Sequence, residues 1–158
     1  MALVQSVGGS ISPEALGHCQ IHEHIFLRHT PAAEGNPALR FDDFDRSLAE
    51  LRAYREAGGA SLADAQPVAA GRDGAALERL SRESGVAVIA STGYHLLGFY
   101  RSDCWVHRLD GEGLYKLYRS ELEDGLLPWE MDPAWRPERL LPIRAGQDNA
   151  ANPAHAPA

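Results

Sequence analysis

Basic charge is in short supply in this chain, and so are cysteine and long apolar runs. Lys and Arg number 15 against 22 Asp and Glu, leaving a formal net charge of -7 and a sequence pI near 5.4. The basic residues are scattered among more numerous acids, so no electrostatic grip on nucleic acid or on an anionic membrane is expected. Cys19 and Cys104 are too few and too far apart for a disulfide framework or a CxxC knuckle. Each is read as a small buried or half-buried side chain in a reducing, cytoplasmic setting. No stretch approaches the ~18 apolar residues of a membrane span, and the N-terminus lacks a basic head followed by an apolar core. What is there is 158 residues with 44% hydrophobic side chains, enough for one globular domain with a real core.

Chemistry is written most plainly in Ile21-His22-Glu23-His24-Ile25-Phe26. Successive side chains of a strand point to opposite faces, so His22 and His24 share one face and Glu23 takes the other. Two imidazoles side by side make half of a metal site, although the same pattern suits two ordinary polar residues on a half-buried strand.

In chain order, residues 2–16 read as a short hairpin turning at Gly8-Gly9, an N-terminal appendage. Cys19 to Phe26 is the first core strand, and residues 29–40 form a long loop at its C-terminal end, where α/β proteins keep function. Asp42 or Asp43 caps a helix with Phe44, Leu48, Leu51 and Tyr54 on one stripe, stopping at Gly58-Gly59. A short strand at Ser61 to Ala65 follows, then a helix from Asp73 with Leu77 and Leu80 on one face, closing at Gly85. Val86 to Ala90 reads as a parallel strand covered on both faces. It ends in the turn-forming tip Ser91-Thr92-Gly93-Tyr94-His95. Residues 96–110 are an irregular excursion, and Glu112 to Glu123 is a third helix with Leu114, Leu117, Tyr118 and Leu122 on its stripe. Pro128, Pro133, Pro137 and Pro142 punctuate a loop carrying Trp129 and Trp135, and residues 147–158 are an Ala/Asn/Pro-rich tail expected to be disordered. The aromatic side chains between 99 and 135 either wall a pocket or cover helices.

Alternating β and α elements mean a parallel sheet wrapped by helices, either an open doubly wound sheet or part of a (β/α)8 barrel. No Gly-rich dinucleotide fingerprint follows the first strand, which weakens the open-sheet reading. In a barrel the active site sits at the C-terminal strand ends, and His22, His24, Asp64 and His95 all fall at or near such ends.

Ser12-Pro13-Glu14-Ala15-Leu16-Gly17 leading into His22-Glu23-His24 resembles the opening of phosphotriesterase-like proteins in the amidohydrolase superfamily, and so do Gly71-Arg72-Asp73 and Ser91-Thr92-Gly93-Tyr94-His95. The resemblance runs from about Leu3 to Gly146. It implies a partial (β/α)8 TIM barrel, about three βα units plus the hairpin, of a family roughly twice this length. It also implies a zinc-dependent hydrolase of ester bonds, of phosphotriester or lactone type, that activates water with two divalent metals. His22 and His24 would ligate the more buried metal, and His95 stands where the family places a substrate-lining side chain, although a loop histidine is also simply solvated. Asp64 is open between accepting an imidazole N–H behind the metal and serving as a cap or loop hydrogen bonder.

The family's other ligands are a carboxylated lysine on strand four, a histidine on each of strands five and six, and an aspartate on strand eight. Ile143-Arg144-Ala145-Gly146 resembles the approach to strand four, but Gln147-Asp148-Asn149 follows, with Asn149 where the lysine belongs. The expectation is therefore that 1–146 is the N-terminal portion of such a barrel and 147–158 an unrelated tail. A truncated or frame-shifted chain of this kind would bind zinc weakly, be inactive alone, and self-associate through its open edge. The alternative is a non-catalytic remnant or interaction protein that keeps part of the fold. Which ester or lactone is the substrate is not written here, because the later loops would carry it.

Overall fold

A computed structural model describes residues 2–29 and 37–127. The middle of the 29–40 loop, the segment with Pro128, Trp129 and Trp135, the approach to a fourth strand, Asn149 and the 147–158 tail lie outside the described residues.

The chain opens with the expected antiparallel hairpin, β1 (Val4–Ser6) and β2 (Gly9–Ile11), turned by Gly9 at φ 117°. It is more than an appendage. Val7 is 4% exposed, and its N–H donates to the Val88 carbonyl at 2.8 Å, so the hairpin is docked on the sheet. A 3-10 turn at Pro13–Leu16 then leads into β3 (His18–Glu23).

β3, β4 (Gly59–Asp64) and β5 (Ala87–Ala90) form a parallel sheet in that order. Helices α1 (Phe44–Glu56) and α2 (Gly74–Ser84) join them, and α3 (Gly111–Glu123) follows β5. These are the three βα units legible in the sequence. Each helix starts where a short acid can satisfy a free N–H: Asp43 accepts from Arg46, Asp73 from Ala76 and Asp110 from Gly113. The second closes on Gly85 in the left-handed region, as an αL cap requires.

The apolar stripes meet the sheet in one core of Leu48, Leu51, Leu62, Leu77, Leu80, Val86, Val88 and Ala90. Leu77, Leu80 and Val88 are fully buried, each contributing about 2 kcal/mol of transfer free energy. Only one face of β5 is covered in this way. Ala87 and Ile89, on the other face, are partly exposed, because among the described residues no strand closes over them. On β3 the open side is plainer, with Ile21 82% exposed.

A buried ion pair joins the apolar packing of Leu117, Leu122, Leu126 and Leu127 in fastening the third unit. Arg72, between β4 and α2, pairs with Glu121 of α3, and their side chains are 1% and 0% exposed. The same guanidinium donates to the Ser91 carbonyl at 2.8 Å, while the Thr92 hydroxyl and the Leu127 N–H donate to the Glu121 carboxylate at 2.7 and 3.0 Å. Among the described residues, Arg72 Nε remains buried without an acceptor. Glu121→Ala should therefore destabilise the chain by about 3–5 kcal/mol in urea unfolding, because it strands a buried guanidinium. Arg72→Met with Glu121→Leu should cost much less than the sum of the single changes, and additivity would show that the pair is not coupled.

Candidate functional site

β3 ends at Glu23, which leaves His24 one residue past the ladder, where the strand runs out into its loop. The rings of His22 and His24 meet edge to face, with centroids 5.5 Å apart at 75°. His22 is exposed and His24 half-buried. Asp64 closes β4, is fully buried, and accepts the N–H of Ile25 at 2.9 Å on one oxygen and that of Gln66 at 3.0 Å on the other. One carboxylate thus laces the tips of two neighbouring strands. Burial pushes the Asp64 carboxyl above its ordinary value, while the two backbone donors and the nearby His24 and Arg72 favour the charged form.

The ring partner of His24 is Gln66, whose Oε1 lies 2.8 Å from His24 Nδ1. Gln66 is 5% exposed, and its Nε2 donates to the Ala70 carbonyl. The bonds of Asp64 itself run to backbone. Gln66 went unread in the sequence, where the only signal was its position two residues beyond a strand-end acid.

His95 stands on the excursion after β5. Its ring stacks on Phe99 at 4.1 Å, Nδ1 accepts from the Leu96 N–H at 3.0 Å, and its own N–H donates to the Tyr100 hydroxyl at 2.7 Å. Tyr100 donates onward to the Val68 carbonyl at 3.2 Å, and burial raises its phenol above the ordinary value. This ties the excursion to the loop after β4. A cleft of about 320 Å³ opens here, lined by His24, Gln66, His95, Phe99, Leu39 and Phe41, with Leu27 and Ala70. His24 and His95, far apart in the sequence, share its wall.

Among the described residues, no three His, Cys, Asp or Glu side chains come together as a metal cage. Zinc takes three or four protein ligands, so His22 and His24 fit as two imidazole donors of such a site and not as a complete one. Among the described residues no helix is long and apolar enough to cross a membrane.

Parallel βα units with histidines and an aromatic cleft at the C-terminal strand ends are the arrangement of part of a TIM barrel. Residues 2–126 match the Phosphotriesterase family, and the chain belongs to it. A phospho-furanose lactonase of Mycoplasmopsis agalactiae is 26% identical over 126 residues, covering 78% of this chain and 36% of the lactonase. An N-acetyltaurine hydrolase of Tetraodon nigroviridis is 30% identical over 152 residues, covering 77% of this chain and 43% of that protein. The solved structure of an amidohydrolase from Mycoplasma synoviae superposes with a TM-score of 0.77 at 24% identity, covering 92% of this chain and 42% of that one, a likeness of fold. The chain thus spans well under half the length of these relatives.

The raised carboxyl of Asp64 has a signed consequence for stability. Because the folded chain holds this proton more tightly than the unfolded chain, the stability it contributes is full below the ordinary value of 3.8 and is lost as pH rises through the folded value. Compared at about pH 4 and about pH 7, Asp64→Asn should gain on the parent in urea unfolding as the pH rises. A stability difference that stays constant with pH would remove the burial penalty from the account.

Proposed function

We propose that this chain supplies the first-strand portion of the active site of a metal-dependent hydrolase acting on ester bonds of the lactone or phosphotriester kind. The observation that carries the reading is the convergence of His24, His95 and the aromatic wall of Phe41 and Phe99 on one cleft at the strand ends. Family membership and the lactonase relative support it.

When bound, a divalent metal, zinc by preference, supplies the Lewis acidity that makes water nucleophilic near neutral pH. His22 and His24 would hold it. Asp64 keeps the β3 and β4 tips in register, and the stack of His95 on Phe99, with Leu39 and Phe41, offers an apolar seat that orients a small ester and excludes water. Two imidazoles, the donors found among the described residues, give weak, exchangeable binding of a single metal, so turnover would require further donors. The setting assigned is a reducing cytoplasm, where the two free cysteines persist. The edge of β3 and the exposed Ile21 lead us to expect self-association of the isolated chain.

Titrating an alkyl lactone into isotope-labelled protein tests the substrate reading. Amide and ring resonances of His24, Gln66 and His95 should shift together, and Phe99→Ala should weaken binding on the order of fivefold through about 1 kcal/mol of lost ring contact. Shifts elsewhere, or shifts unaffected by Phe99→Ala, would leave the non-catalytic remnant as the better reading. Light scattering at micromolar concentration checks the open edge, and a monodisperse monomer would contradict self-association.

A further inference from the structure

We propose that Gln66 is a positioning residue that locks His24 in the Nδ1–H tautomer and so turns a lone pair on Nε2 outward as the donor atom. The inference rests on the reading of His24 as a metal ligand, but its first step is independent of any metal.

The step follows from hydrogen-bond polarity. A carbonyl oxygen only accepts, so the contact between the Gln66 amide and the Ala70 carbonyl requires the NH2 end of the amide to face Ala70. The opposite end, Oε1, is then the atom 2.8 Å from His24 Nδ1. An amide oxygen also only accepts, so the hydrogen between them belongs to the imidazole. A neutral imidazole carries one N–H, and with the proton on Nδ1 the lone pair is on Nε2. Rotating the amide would set its NH2 against an unprotonated Nδ1 and its oxygen against the Ala70 oxygen, an arrangement that a side chain 5% exposed cannot relieve with water.

The backbone of Gln66 strengthens the lock. Its N–H is held by Asp64, whose other oxygen holds the N–H of Ile25, the residue next to His24. The amide and the imidazole it orients are thereby anchored to one buried carboxylate. Metal-ligating histidines generally donate their second N–H to an oxygen, and here a neutral amide fills that place. His95 provides an internal contrast. Its Nδ1 accepts from the Leu96 N–H at 3.0 Å, so its proton sits on Nε2 when the ring is neutral.

Long-range nitrogen–proton correlation spectra of the metal-free, uniformly labelled chain above the imidazole titration range read both tautomers directly. His24 should show the Nδ1–H pattern and His95 the Nε2–H pattern. In Gln66→Leu, His24 should lose its preference and zinc affinity should fall by roughly tenfold to a hundredfold. An Nε2–H tautomer at His24 in the parent chain overturns the proposal whatever the variant does, as does an unchanged tautomer in a folded Gln66→Leu chain. The expected tautomer, combined with zinc that leaves the His22 and His24 resonances unmoved, would instead overturn the metal reading and leave the role of Gln66 standing.

Discussion

The buried pairing of Arg72 with Glu121 is the interaction on which the upper end of this structure depends. Two charges removed from water are tolerable only when hydrogen bonds replace the lost hydration. Here the partners include Ser91, Thr92 and Leu127, so the requirement to satisfy them gathers the β4–α2 junction, the tip of β5, the last turn of α3 and the chain beyond it into one cluster. All three βα units share the apolar core, the third through Val88, Ala90 and Leu122, and the charged cluster adds to the packing of Leu117 and Leu127 on Val68. The tip that carries Tyr94 and His95 is placed as a result.

A second carboxylate repeats the principle on a smaller scale. Asp64 joins the tips of β3 and β4 by accepting one backbone N–H from each side, which sets His24 and Gln66 at hydrogen-bonding distance. The Arg28–Asp73 pair at 2.7 Å adds a tie between the loops after the same two strands. The candidate site is therefore built on loops whose ends are fixed by buried acids, and the cleft beside it inherits its shape from them.

Local chemistry makes much of the fold legible in the sequence. The Asp42-Asp43 pair, of which Asp43 is the cap, and Asp73 mark helix starts, Gly85 a helix end, and the stripes Phe44-Leu48-Leu51-Tyr54 and Leu77-Leu80 the buried faces, because each signal is complete within one element. The pairing of His22 with His24 was equally local. Gln66 and Glu121 were not legible, since a glutamine in a loop and a glutamate on a helix look like solvated residues until their partners, distant in the sequence, are known. The docking of the hairpin through Val7 was hidden for the same reason. The half-covered β5 departs from expectation because covering both faces of a strand depends on neighbours that the strand's own residues do not specify.

The central proposal is that the described residues of this chain present the two imidazoles of His22 and His24 as one part of a metal centre. Zinc K-edge absorption spectroscopy of the zinc-loaded chain reads the coordination shell most directly. The account predicts two imidazole nitrogens with the remaining positions filled by solvent oxygen, and loss of both nitrogens from that shell in the His22→Ala/His24→Ala chain. A shell with three or more protein ligands, or an imidazole count unaffected by that double change, would contradict it.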